Sequence, residues 1–341
     1  MKTLETERLK LRKFSPDDLD AVHSYAGCAD NLIYMMWGPN SKENTQAFID
    51  TAIAEAEKEP CHNYHYAVVL KESSALIGGC NLSLDGDTGE VGWLLHRDFW
   101  RRGFGSEIGR ALLEFGFEEL GLYRITAHCD AENIASYGVM EKIGMRREGL
   151  FLESRPANKK SSRKYSDELS YAILRDEWEI KKEIEYYNSL PCRFEDFIEL
   201  PDLTDGEIEL VCAHKHNAIP EKKYVPDYIF EIRKNKQKIG SLSLRIGYTE
   251  GLYYGGNIGY GIDEPYRGNG YAAAACRLAV PVARAHGMTK LLISNDVNNH
   301  ASRRVCEKLG LRLVREVRLP EWTELYRDGE RYINIFEWSI D

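Results

Sequence analysis

The stretch Pro265-Tyr266-Arg267-Gly268-Asn269-Gly270-Tyr271-Ala272 runs straight into the alanine-rich segment Ala273 to Ala285. Two glycines in the turn permit a sharp bend and the close approach of a ligand. The segment behind them predicts a helix. A helix start offers N–H groups without intrahelical partners and the positive end of the dipole. Together the turn and the helix start make a socket for phosphate oxygens. The same arrangement stands earlier, at Phe99-Trp100-Arg101-Arg102-Gly103-Phe104-Gly105-Ser106, before a predicted helix from Glu107 to Leu120.

Working outward, further landmarks repeat at one spacing. Gly92-Trp93 and Gly259-Tyr260 lie 167 residues apart, as do Gly103 and Gly270. Asn133-Ile134-Ala135-Ser136 and Asn299-His300-Ala301-Ser302 lie 166 apart, and so do the helix stops Gly144 and Gly310. A spacing constant to one residue indicates an internal duplication. Each copy predicts strands ahead of the socket, the socket helix, a strand, a short helix ended by glycine, and two closing strands. The first copy carries about 60 residues and two helices before its second strand; the second has a shortened segment there, Ala213 to Pro226. A polar, basic loop is expected from Glu153 to Lys164. Asp176 to Tyr187 reads as a charged helical linker that Pro191 ends. The expected division is residues 1–176, a linker at 177–192, and residues 193–341.

A length of 341 residues suits two domains, and 43% hydrophobic with 29% charged residues is a globular composition. No apolar run approaches the ~18 residues of a membrane span, and the N-terminus lacks a signal-peptide layout. The eight cysteines are scattered without a Cys-x-x-Cys pair. They read as reduced thiols of a cytoplasmic protein, with no metal site. A net charge of −9 disfavours a general nucleic-acid binder and mildly favours cationic acceptors.

At these residues the chain resembles the GNAT acetyltransferase superfamily in both halves. That superfamily's socket reads Gln/Arg-x-x-Gly-x-Gly/Ala. Arg267, Gly268, Asn269, Gly270, Tyr271 and Ala272 fit it, while the first copy has Trp100 at the leading position, then Gly103 and Gly105. The Trp variant, the Glu-x-x-Arg-Leu start from Glu5 to Leu9 and the Asn-Ile-Ala-Ser run are similar to the branch of ribosomal-protein N-terminal acetyltransferases. The second copy resembles a less characterised branch, by Tyr254-Gly-Gly-Asn-Ile-Gly-Tyr260 and the tail Tyr326-Arg-Asp-Gly-Glu330. The resemblance implies two tandem α/β (α+β) domains, each a mixed, mostly antiparallel sheet flanked by helices, with acetyl-CoA in the splay between the fourth and fifth strands. It implies direct acetyl transfer to an amine, that of a protein N-terminus or of a small molecule; the oligomeric state, monomer or homodimer, is left open by the sequence. The rival reading is a CoA-binding regulatory or scaffold protein.

Amine acylation requires a held thioester, a free amine, oxyanion stabilisation and a proton for the leaving thiolate. The expected cofactor contacts are Arg101, Arg102, Gly103, Phe104, Gly105, Ser106 and Asn133 in the first copy, and Arg267 to Ala272 with Asn299 in the second. Trp93, Leu94, Tyr260 and Ile262 join them from the fourth strands. There a bulge at Gly92-Trp93-Leu94 and Gly259-Tyr260-Gly261 is expected to free N–H groups for the oxyanion. Glu90, 13 residues before Gly103, is the candidate base; its counterpart Asn257 cannot serve, and Asp263 or Glu264 could substitute. The superfamily's usual acid is a tyrosine seven residues after the helix-start asparagine, where this chain has Met140 and Cys306. Ser136 and Ser302 are the candidate replacements, and both also read as ordinary first-turn serines. Asn133 and Asn299 read equally as N-caps.

Overall fold

The structure, a computed structural model, describes residues 1–159 and 162–340. Two compact units divide the chain between Lys181 and Lys182. In the first, the strands are β1 (Leu4–Glu5), β2 (Leu9–Arg12), β3 (Asn63–Leu70), β4 (Leu76–Asp85), β5 (Thr88–Leu95), β6 (Arg124–Asp130), β7 (Arg146–Pro156) and β8 (Tyr165–Leu174). They form one sheet in the order β1-β2-β3-β4-β5-β6-β8-β7. Each of these pairs is antiparallel except β5 with β6. The helices are α1 (Leu19–Ala26), α2 (Lys42–Ala56), α3 (Phe104–Glu114, continued by a π-helical turn at Phe115–Glu119), α4 (Ile134–Lys142) and α5 (Arg175–Asn188). Leu9, Leu11, Val68, Ile77 and Leu82 of the sheet and Ile108 and Leu112 of α3 are fully buried in one core. Phe14, Val22, Tyr25 and Ile49 form a second cluster under α1 and α2.

The parallel pairing of β5 with β6 holds only at Thr88–Arg124, Gly89–Ile125 and Glu90–Thr126. Beyond Glu90 the two strands part, while β5 keeps β4 and β6 keeps β8. The sheet therefore opens like a V, with Glu90 at its vertex. β7 runs on to Pro156, so the loop expected from Glu153 begins later. Residues 160 and 161 of that loop lie outside the described residues.

In the second unit, β9 (Glu209–His216), β10 (Asp227–Lys234), β11 (Gln237–Arg245) and β12 (Ile258–Ile262) form one sheet; β13 (Lys290–Asp296), β14 (Arg312–Arg318) and β15 (Tyr332–Ser339) form another. The helices are α6 (Glu250–Gly255), α7 (Tyr271–Ala285), α8 (His300–Lys308) and α9 (Glu324–Arg327). No ladder joins β12 to β13. Asn257 spans the split instead. Its N–H donates to Leu292 O at 2.6 Å, and its Oδ1 accepts from the Leu292 N–H at 2.9 Å. Its Nδ2 donates to Gly247 O and Arg245 O. The side chain is fully buried, and every polar atom of the amide has a partner.

Helix α5 crosses the boundary between the units. Within the first, Trp178 stacks on Phe117; within the second, the Tyr187 hydroxyl donates to Glu337 Oε2 at 2.8 Å. Helices α6 and α9 lie outside the sequence expectation. Thr249 and Thr323 cap them, each accepting from the N–H three residues on.

Candidate functional site

Both sockets form. Gly103 and Gly270 are the N-caps of α3 and α7, with φ of +83° and +84°, a region that favours glycine. Gly268 also has a positive φ, +82°, and Arg101, which stands in its place in the first copy, takes +59°. The first helical N–H with a backbone acceptor is that of Glu107 in α3 and of Ala274 in α7. The amides of Phe104, Gly105 and Ser106, and of Tyr271, Ala272 and Ala273, precede them and point out of the helix ends. Phe104, Ser106 and the Tyr271 side chain are buried, so these residues offer main chain to a ligand. Asn269 folds back on its own turn through Nδ2 bonds to Tyr266 O and Arg267 O.

Each turn is tied to the strand before it by the residue that leads the motif. Trp100 Nε1 donates to Leu95 O at 2.8 Å, and Arg267 Nε donates to Ile262 O at 2.9 Å. Indole and guanidinium thus do one job in the two copies. The first socket has a second tie that the sequence reading missed. The Arg8 N–H and Nε donate to Glu107 Oε1 and Oε2 at 2.8 Å each, and Nη1 reaches Arg102 O at 3.0 Å. Thr6 also donates to Glu107. Burial pushes the Glu107 carboxyl up, yet these donors outweigh it and hold the group below its ordinary range. The visible signal was the Glu-x-x-Arg-Leu start, whose arginine is this clamp.

In the first unit, the V opens into a cleft of about 880 Å³. The cleft is lined by Glu90, Trp93, Leu94, Asn133, Ser136 and Met140 among the expected positions. The socket residues Arg101 to Ser106 are not in its wall. Glu90 is exposed to the cleft. Asn133 Oδ1 accepts the Ser136 N–H at 3.2 Å, so it caps α4, and Met140 is buried. Sequence reasoning missed the far wall: His128, Asp130, Glu168 and a buried Arg155. Arg155 donates to Tyr34 O at 2.9 Å. The aromatic rings of Tyr25, Tyr34, Trp37 and Phe48 close the acceptor side.

In the second unit, socket and splay share a single cleft of about 730 Å³. Tyr260, Ile262, Arg267, Gly268, Gly270, Tyr271, Ala272, Asn299 and Ser302 all line it. Asn299 caps α8 through the Ser302 N–H at 3.0 Å. The Tyr260 hydroxyl bonds Ser302 Oγ at 2.9 Å, and burial raises its pKa well above the ordinary value. Cys306 is fully buried and its thiol is pushed up to about 12, which suits no nucleophile. Asp263 and Glu264 are exposed on the turn and do not line the cleft. The carboxylates that do are Asp296 and Glu330.

The expected strand bulge is corrected. β5 pairs with β4, and β12 with β11, in unbroken register. The splay frees the N–H groups instead. Asp87 O and Gly89 O face β6, while the His96 N–H faces β4. By alternation Val91 and Trp93 turn their amides to the opening, and those of Gly92 and Leu94 face β4. In the second unit, the Asp263 N–H bonds Ile239 O in β11, so Ile258, Tyr260 and Ile262 face the split. Trp93 and Tyr260 remain of each expected triplet; the Leu94 amide does not face the cleft.

No helix among the described residues is long and apolar enough to cross a membrane, and no group of His, Cys, Asp or Glu among them is arranged to hold a metal ion.

The family model described as acetyltransferase (GNAT) domain matches the chain twice, at residues 8–146 and 185–312. The uncharacterized N-acetyltransferase YnaD of Bacillus subtilis (strain 168) is 37% identical over 178 residues, covering 51% of this chain and 98% of that protein. The uncharacterized N-acetyltransferase p20 of Bacillus licheniformis is 29% identical over 181 residues, covering 52% and 99%. Among solved structures, the acetyltransferase (GNAT family) from Bacillus anthracis is 36% identical over 51% of this chain and 99% of that one, at a TM-score of 0.45.

Proposed function

The chain belongs to the acetyltransferase (GNAT) family and is an acetyl-CoA-dependent acyltransferase; from that premise we propose that its first half acetylates a primary amine, by preference the α-amine of a protein or peptide, with Glu90 taking the proton. The observation that carries this reading is the opening of β5 from β6 beyond Glu90. It leaves strand amides facing a cleft whose vertex holds a carboxylate.

The cofactor's phosphates take the amides at the start of α3, with Arg101 and Arg102 beside them. Acetyl-CoA supplies an activated acyl group. The acceptor nitrogen attacks the thioester carbonyl carbon, the C–S bond breaks, and the amine proton leaves to Glu90 directly or through water. The Val91 and Trp93 amides face the developing oxyanion. Ser136 stands near the departing thiolate. An α-amine, with a pKa of about 7.7–8.0, is partly free at neutral pH and demands less of a base than a lysine near 10.4. The aromatic wall suits the end of a peptide; behind it Glu168 stands 3.7 Å from Arg155 and 3.6 Å from His128, and Asp130 accepts from Ser166 Oγ. A cytoplasmic setting goes with this reading, since the eight cysteines are free thiols.

The test is thiol release from acetyl-CoA with a peptide bearing a free N-terminus, a diamine and an amino sugar. Glu90→Gln is expected to lower kcat on the peptide by about 100-fold and leave cofactor affinity unchanged. Cofactor binding with no amine-dependent release from any acceptor would turn the reading to a binding protein.

A further inference from the structure

We propose that the second unit is an active acetyltransferase site in its own right, in which Tyr260 protonates the leaving thiolate and Glu330 receives the proton of a cationic amine acceptor. The inference rests on the family reading but not on the acceptor or the base proposed for the first half.

Three observations carry it. The first is that the residue at the place of Glu90 has another duty. Asn257 is buried and holds the two sheets together, so a base for this cleft must come from elsewhere. Of the carboxylates that line the cleft among the described residues, Asp296 accepts the Asn298 N–H through Oδ1. Glu330 is the other, held just ahead of β15 by its N–H bond to Leu325 O. Burial, with Asp296 and Asp328 nearby, raises its pKa from the ordinary carboxylate value, the direction that suits a base.

The second observation is the phenol. β12 sends the Tyr260 side chain to α8, where the hydroxyl meets Ser302 Oγ at 2.9 Å, beside Cys306. The buried Cys306 keeps its thiol proton, and Tyr260 brings a hydroxyl to the same spot from the opposite wall; burial raises the Tyr260 pKa as well, so its proton moves only as negative charge builds on the departing sulfur. Trp93 holds its position in the first unit and has no such proton.

The third is polarity along the cleft. Lys308, at the end of α8, lies so close to the Gly270 turn that a Cβ there would meet Nζ at 2.8 Å. Arg267 and Arg304 also line the cleft. Asp296 and Glu330 lie at the start of α8, about 12 Å of helix away. Anionic phosphates fit the Lys308 end and a cationic amine the carboxylate end; Arg245 also lines the cleft, with its guanidinium tied to Gly255 O and Gly256 O.

The step balances. The cationic amine first loses one proton to solvent; the neutral nitrogen attacks the acetyl carbonyl carbon, C–S breaks, the thiolate takes the Tyr260 proton, and the second proton of the nitrogen passes to Glu330; solvent returns each group to its starting state.

The test uses the full chain in two backgrounds, Gly105→Trp to block the first socket and Ala272→Trp to block the second, with acetyl-CoA and the same three amines. The Gly105→Trp protein is expected to retain amine-dependent thiol release. In that background Tyr260→Phe and Glu330→Gln should each lower kcat about 10- to 100-fold, with the KM for acetyl-CoA within about threefold. Tyr260→Phe removes one hydroxyl from a retained ring, which keeps the fold. Release lost in Gly105→Trp but kept in Ala272→Trp overturns this proposal and leaves the family activity to the first half. A kcat unchanged in Tyr260→Phe or in Glu330→Gln overturns the role given to that residue. Silence in both backgrounds overturns this proposal and the one for the first half together.

Discussion

Asn257 shows how one position can change trade between two copies of a fold. Glu90 stands exposed at the vertex of an open sheet, whereas Asn257 is buried where the sheets have separated and a side chain must replace the ladder. Restoring a carboxylate there would not restore a base. In Asn257→Asp, two carbonyls that accepted from Nδ2 would face a buried anion. Unfolding free energy should fall by about 3–5 kcal/mol in a urea titration. Glu107 offers the opposite case, a carboxylate that belongs where it is. Its folded pKa lies below the unfolded value of about 4.3, so its stabilisation is complete above that pH and fades as the pH falls through the folded value. Glu107→Gln should therefore cost about 1.5–3 kcal/mol at pH 7 and progressively less below pH about 4, measured by urea melts across that range. Sequence reasoning found the residue types but not these duties. A lone asparagine and a helical glutamate carry no mark of what lies across space from them.

At the scale of elements, the socket depends on the tie between its turn and the preceding strand. Trp100 and Arg267 are unlike in volume and charge, yet each places one N–H on the carbonyl that ends the strand. Trp100→Phe removes the donor and keeps the ring. It should weaken acetyl-CoA binding at the first site by about 3- to 10-fold in calorimetry, the equivalent of one hydrogen bond. Trp100→Arg imports the other copy's solution and should stay within about twofold of the parent. The glycine turns, helix starts and most strands were legible because each has a local cause: a positive φ, a cap or an alternating burial pattern. The splay and the register were not. They depend on where β5 loses β6, which is settled by partners distant in sequence, and the bulge expected at Gly92-Trp93-Leu94 was the local explanation for a non-local effect. Helices α6 and α9 went unseen for a different reason. At six and four residues they are too short for a hydrophobic period to register.

For the whole molecule, the duplication was the most legible feature, because a constant spacing needs no knowledge of contacts. The units nevertheless close their sheets differently, one through three parallel pairs and the other through a single asparagine. What both keep is a socket held by residues of its own unit: Arg8, Glu107 and Trp100 in the first, Arg267 and Asn269 in the second. Two complete sockets predict two acetyl-CoA sites per chain. Gly105 and Ala272 occupy the same place in the first turn of α3 and α7. A Cβ at Gly105 would already meet Val139 at 3.1 Å, so an indole there must displace either α4 or the ligand. Calorimetric titration should count two sites in the parent, one in Gly105→Trp, one in Ala272→Trp and none in the double variant. The surviving site should keep its Kd within about threefold, because none of its ties is shared with the blocked unit. A parent that binds one equivalent, lost with Gly105→Trp and untouched by Ala272→Trp, would leave the second socket formed but empty. The fit of its amides to phosphate would then be inheritance from the duplication without present use.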